Sequence, residues 1–360
     1  MPYVFMLDSG RSALLIVMDV LDCAGREVLV NAYTTDVVHK AIMAAGAMPR
    51  PFDLIPETLE PDLDSVRRSW SNNTAALIHT RLFGLPCNPT GLRQEARQWG
   101  IPMVNCLGIL WRGHLCGQFG QAAILSFRVG KPLSSGGGAL VTNSPAIAEK
   151  IAARMKTVPQ TPKALSLRQL LRSLADYIAF EPFILRYVAR PLRSITKGTV
   201  LGRQLVRGGV VDTTNPPDRK LVRWMGQWQA ALALANLDEY QDRIQTRQQV
   251  GKLIIARCHD LPLRFLVDEK KDDWNGLFLP VLLPSDCANR FVEWMRCHGF
   301  DVTRFHAAVP SLSFDRSVLH DLPGTRFISR RLVCVPSTVR MFMQVDRFYT
   351  VARSFLEAAV

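Results

Sequence analysis

No Cys-x-x-Cys pair occurs among the eight cysteines of this chain, and its seven histidines are scattered. Neither Cys106/Cys116 nor Cys287/Cys297 has metal-ligand spacing, so no metal site is expected. No glycine-rich loop of the dinucleotide or Walker type is present, which argues against nicotinamide or ATP binding. Aromatic residues make up only 8% of the chain and do not interleave with its basic clusters, so nucleic acid is not an expected partner. The longest apolar candidate, Leu170 to Leu192, is broken by Arg172, Asp176, Glu181, Arg186 and Arg190, too much charge for a bilayer span, and Pro182 would end or kink a helix there. With no secretory leader, the cysteines read as reduced thiols of a cytoplasmic protein.

What is present is a large apolar reserve and an uneven basic charge. At 360 residues with 48% hydrophobic content, the chain can bury a sizeable core and divides into two domains. Of the net charge of +13, residues 156–223 carry +9, from thirteen Lys/Arg against four Asp/Glu. Apolar residues at helical spacing with arginines between them make this stretch a basic amphipathic insertion. Three readings stay open: packing on its own domain or a dimer mate, an anionic membrane surface at the inner face, where each cation is worth about 1 kcal/mol, or an acidic protein. The expected division is a large α/β domain over 1–155, the insertion over 156–222, and a linking helix with a smaller C-terminal α+β domain over 223–360.

Short β-rich runs (Glu27 to Val30, Ala75 to His79, Ile101 to Asn105) alternate with helical stretches (Val37 to Ala45, Leu92 to Trp99). That alternation predicts a doubly wound, mainly parallel sheet whose ligands bind at the carboxyl ends of its strands. His79, Cys106 and Lys131 lie near such ends. Lys131 stands out: an apolar strand, Ala123 to Phe127, enters a loop of small residues carrying this one lysine, and a second apolar strand follows from Ala139. A lysine amine becomes nucleophilic toward an aldehyde when burial or nearby cations lower its pKa, and pyridoxal phosphate is held through such a bond. A solvated loop lysine gives the same pattern. His79 is read as ligand-facing or as a capping or core histidine.

The stretch Ser126 to Asn143 resembles the cofactor-lysine loop of the DegT-type sugar aminotransferases, a branch of the fold-type I pyridoxal-phosphate enzymes. Six further blocks fall in that family's order: Ser9-Gly-Arg-Ser-Ala-Leu14, Gly25 to Val30, Ala41 to Pro49, His79 to Pro86, Gly117 to Ala123 and Met225 to Leu237. The resemblance implies a homodimer, pyridoxal 5'-phosphate as cofactor and a nucleotide-linked keto sugar as substrate. Lys131 would carry the cofactor, and Ser126 with the Ser9-Gly10-Arg11 turn would hold its phosphate. His306, in Phe305-His306-Ala-Ala-Val-Pro310, would face the sugar.

Several positions depart from the family pattern. Cys106 stands where an aspartate meets the pyridine nitrogen, and a thiol is a weak donor that cannot stabilise a pyridinium as a carboxylate does. Asn105, beside it, should face the other way. Ile109 replaces a glutamine near the ring hydroxyl, Thr35 replaces the aromatic that stacks on the ring, and Val222 replaces an asparagine that reaches a neighbouring subunit. These departures keep a second reading open: a degenerate homologue that catalyses nothing and acts as a binding, regulatory or membrane-surface partner.

Further on, a single long helix is expected from Leu221 to about Ala256, a strand within Gly276 to Pro284, a helix from Cys287 to His298, an edge strand over Phe300 to Arg304 and a closing helix from Val345 to Ala359.

Overall fold

A computed structural model of the protein describes residues 3–107, 120–128, 130–179, 222–268, 274–307, 314 and 316–359. The first half comprises β1 (Tyr3–Leu7), α1 (Gly10–Val20), β2 (Glu27–Asn31), α2 (Asp36–Ala44), β3 (Met48–Phe52), α3 (Leu63–Ser69), β4 (Thr74–Thr80), α4 (Thr90–Gln98), β5 (Met103–Leu107), β6 (Ala122–Ser126), β7 (Gly138–Thr142) and α5 (Pro145–Met155). Then come α6 (Lys163–Ala179), α7 (Gln227–Ala235), α8 (Tyr240–Arg257), β8 (Arg264–Phe265), β9 (Leu279–Leu282), α9 (Ala288–Cys297), α10 (Arg316–His320), α11 (Pro323–Arg331), β10 (Leu332–Val335), α12 (Val339–Phe342) and α13 (Val345–Ala359). Of the basic stretch, α6 is described; residues 180–221 lie outside the described residues, as do Ile109 and Cys116.

Seven strands form one sheet in the order β1-β7-β6-β5-β4-β2-β3. Strands β2 to β6 run parallel, and β7 is antiparallel to both neighbours. A parallel sheet is covered on both faces, so its strands are apolar throughout rather than alternating. Every residue of β4 is buried. Alternation still decides which core each side chain joins. Val28, Val30, Ile78, Val104 and Ile124 pack with α1, whereas Leu29, Leu77 and Met103 join a second core shared with the C-terminal unit. That unit is a three-stranded antiparallel sheet, β10-β9-β8, with helices. It is fastened to the large sheet by Asp53, whose carboxylate accepts from Gly324 N (2.8 Å), Thr325 N (2.6 Å) and Thr325 Oγ1 (2.7 Å) at the N-terminus of α11. A negative charge suits that end of the helix.

Two expected elements differ. The single helix from Leu221 to Ala256 is two, α7 and α8, because the chain closes at Asn236: its backbone N–H and its Nδ2 both donate to Leu232 O. Asparagine favours such local capping over helix continuation. No strand forms over Phe300 to Arg304. Thr303 alone bridges to Cys334, and the backbone then turns at His306, whose φ of 65° lies in the left-handed region. The closing helix spans the expected residues.

Candidate active site

The site is assembled from the bottom of α1 and the carboxyl ends of the parallel strands. Ser9 caps α1 with an extended backbone, and its Oγ accepts from Ser12 N at 3.1 Å. Ser9 bridges to Gly137, and a Cβ on Gly10 would stand 3.0 Å from Ser126 Cβ. A Cβ on Gly138 would lie 2.5 Å from Gly10 N and 2.7 Å from Leu125 O. The glycine run after the lysine therefore lets β7 lie directly against the start of α1, which brings Ser126 to the Ser9-Gly10 turn. The free N–H groups and positive end of this 11-residue helix make the cup suited to an anion. Arg11 follows in the same turn, with its Nε buried and without a hydrogen-bond partner. Asp8 beside the cup accepts from Ser12 Oγ at 2.5 Å, and burial raises its carboxyl above the ordinary value.

Cys106 and Thr80 are register partners on β5 and β4, on the sheet face that packs α1. Thr80 is pinned by Asn31, whose Nδ2 donates to Thr80 O (3.1 Å) and whose Oδ1 accepts from Thr80 N (2.9 Å). Its Oγ1 is buried beside the Cys106 thiol, and a hydrogen bond between the two side chains lowers the thiol's pKa against the larger effect of burial. Lys131 faces the same thiol. Burial pushes the Lys131 amine down to about 8, Arg128 pushes it further, and Cys106 opposes them. Burial pushes the Cys106 thiol up to about 11, against the pull of Lys131. The amine is thus deprotonated in a useful fraction near neutral pH, and the thiol beside it is neutral.

His306 reaches this group from the C-terminal unit. Its ring stacks on Phe83 (centroids 6.1 Å, planes 17° apart) and meets Tyr33 edge-on at 6.2 Å. Burial first, then the charges of Arg128, Lys131 and His39, push its imidazole down to about 3, so it stays neutral. Phe83, like His306, sits at positive φ (54°), a strained backbone for bulky residues that a rigid surround must hold. Trp274 Nε1 donates to Phe83 O at 3.0 Å and supplies part of that surround.

The expected site residues divide accordingly. Lys131, Cys106 and His306 converge, and Ser9, Gly10 and Ser126 form the cup with Arg11 in its first turn. Thr35 is the N-cap of α2 without a side-chain cap bond, and Val222 is buried in the core behind α1. His79 is not brought to the group. It pairs in register with Asn105 on the opposite sheet face, 1% exposed, with Nε2 at 3.8 Å from Cys87 Sγ. Burial pushes it down to about 3. The same alternation that turns Asn105 away selects Thr80 over His79, a signal present in the sequence. Arg128, Tyr33 and Phe83 carry no such local signal. Among the described residues, no three His, Cys, Asp or Glu side chains gather as metal ligands, and no helix is long and apolar enough to cross a membrane.

Comparison with known proteins places this geometry. Residues 1–163 match the DegT/DnrJ/EryC1/StrS aminotransferase family. The erythromycin biosynthesis sensory transduction protein of Saccharopolyspora erythraea is 36% identical over 135 residues, 35% of this chain and 36% of that protein. The dTDP-3-amino-3,4,6-trideoxy-alpha-D-glucose transaminase of Streptomyces venezuelae is 32% identical over 154 residues, 40% of each. The matched segments thus span less than half of these curated relatives. In fold the likeness runs through the whole chain. The aminotransferase TlmJ of Streptoalloteichus hindustanus superposes with a TM-score of 0.73 at 17% identity, over 99% of this chain and 87% of that one. A putative sugar aminotransferase from Streptococcus pneumoniae, solved in its PLP form, gives 0.72 at 18% identity over 99% and 88%. Residues 1–163 of this chain thus match the DegT/DnrJ/EryC1/StrS aminotransferase family, and the whole chain shares the fold-type I aminotransferase fold.

Proposed function

We propose that the protein binds pyridoxal 5'-phosphate and transfers an amino group to a nucleotide-linked keto sugar, as the names of its relatives describe for them. The observation that carries this reading is the desolvated amine of Lys131, set beside Cys106 at the strand ends and facing the same edge as the Ser9-Gly10-Ser126 cup. The residues fit the cofactor at both ends. The cup and Arg11, with its orphaned Nε, suit a phosphate, and the amine suits the aldehyde. When bound, pyridoxal phosphate supplies the carbonyl that takes up and releases amino groups. Lys131 then holds the cofactor and moves protons at its Nζ, while neutral His306, walled by Tyr33 and Phe83, orients substrate by hydrogen bonding without adding charge. Cys106 and Thr80 offer the ring nitrogen a thiol and a hydroxyl in place of a carboxylate, which favours the unprotonated ring.

We infer a homodimer as the working assembly. Trp228, Leu234 and Leu237, on α7 and just beyond it, are exposed, as are Leu167 and Leu171 on α6, which packs against α7. An exposed apolar patch of this kind marks an interaction surface.

The test is the absorption spectrum with added pyridoxal phosphate, before and after borohydride, beside Lys131→Ala. A visible band that borohydride bleaches and the variant lacks supports the reading. No band at millimolar cofactor would overturn it and leave a lysine pocket for another ligand.

A further inference from the structure

The loop that carries Lys131 is held from far away in the chain. Arg247 lies on α8, and both of its Nη atoms donate to Gly130 O at 3.1 Å, the carbonyl immediately before Lys131. Its Nη1 also reaches Gly276 O at 3.4 Å and Leu277 O at 3.5 Å. Every described acceptor is a main-chain carbonyl. The charged or titratable neighbours that act on Arg247 are Arg243 and Tyr240, and burial pushes its guanidinium down to about 10. The guanidinium is only partly buried, yet its planar fork converges on main-chain carbonyls rather than on a carboxylate, so what it fixes is the placement of that backbone. Room has been made for it: Gly276, at φ 72°, would place a Cβ 2.5 Å from Arg247 Cβ. Within the loop itself, Gly130 N donates to Ser134 Oγ (2.8 Å) and Lys131 N to Arg128 O (3.1 Å). The turn is thus closed internally, and Arg247 ties it to α8 and to the entry of β9.

We propose that Arg247 is a positioning residue for Lys131, its forked guanidinium clamping the Gly130 carbonyl so that the lysine amine is kept desolvated against Cys106. The groups acting on that amine are Cys106 on β5, Arg128 on its own loop and His306 from the C-terminal unit. Without the clamp, water reaches the amine and its pKa rises toward the ordinary lysine value. Removing a nearby positive charge pushes in the same direction, so the sign is fixed. The inference shares the assignment of Lys131 as the reactive amine but needs no cofactor. A protein that bound no pyridoxal phosphate would still report on the clamp.

The test labels the cofactor-free protein with acetic anhydride across about pH 6 to 10 and follows the Lys131 peptide by mass spectrometry. The wild-type midpoint is expected near 8. In Arg247→Met it should rise by at least about one unit, with labelling at neutral pH falling about tenfold. Arg247→Lys separates fork from charge, because it keeps the cation but cannot grip one carbonyl with two donors. A rise in Arg247→Lys supports the clamp. A wild-type midpoint in that variant, or in Arg247→Met with only a lower melting temperature, overturns it. Should Arg247→Met fail to fold, the lysine variant alone decides.

Discussion

At the scale of single residues, one thiol sets the character of the site. Lys131 is brought to about 8 chiefly by burial, with Cys106 the opposing neighbour among the described residues, and burial pushes that thiol up to about 11. A carboxylate there would be a true counter-ion, so Cys106→Asp should raise the Lys131 midpoint by at least about one unit and cut its labelling at neutral pH about tenfold. An unchanged midpoint in that peptide assay would mean that the residue 106 side chain does not face the amine. Much of this neighbourhood was legible in the sequence because its signals are local: a lysine in a small-residue loop between two apolar strands, and a cysteine at a strand end. The partner of that cysteine follows from alternation, which puts Thr80 rather than His79 on its face. Arg247 was not legible. Its contact with Gly130 spans 117 residues, and an arginine on a charged helix looks like a solvated one until the tertiary fold brings that carbonyl to it.

At the scale of elements, the site depends on how closely β7 approaches α1. The Gly138 position has no room for a methyl: its Cβ would meet Gly10 N, Leu125 O and Ser9 C, all within 2.7 Å and all backbone. Gly138→Ala must therefore move a strand or a helix start, at a cost of ~2 kcal/mol, within the range for overpacking. Chemical denaturation should show that loss, and pyridoxal phosphate binding should weaken alongside it because the Ser9-Gly10 turn is what moves. Weakened stability with unaltered binding would separate the turn from the phosphate. Strands and helices of the first half are local in origin, so their hydrophobic patterning marks them in the sequence. The break between α7 and α8 turns on a single asparagine whose side chain folds back to Leu232 O. Phe300 to Arg304 has strand-like composition, yet only Thr303 finds a partner, and whether a partner exists is a tertiary matter.

At the scale of the whole molecule, buried histidines make the fold acid-sensitive. His39 is fully buried with Nε2 at 3.0 Å from Asn31 O, and burial pushes it down to about 4; His79, 1% exposed, is pushed down to about 3. In the unfolded chain both take up protons near the ordinary histidine value of about 6.5. Between that value and about 4 the unfolded state therefore binds up to two more protons than the native state, and stability falls as the pH is lowered. Two protons correspond to a slope approaching ~2.7 kcal/mol per pH unit. His306, also pushed down, adds to the same sign. Urea denaturation at about pH 6 and pH 5 brackets the window above most carboxylate titration. His79→Gln, which cannot titrate, should remove about half of the slope due to this pair. An equal slope in that variant would mean that His79 is protonated in the native state. Because His39 lies on α2 against Asn31 O and His79 lies on β4 beside Thr80, the first elements lost to acid should be those that place Thr80 and Asn31, so the Lys131 site is expected to fail together with the sheet rather than after it.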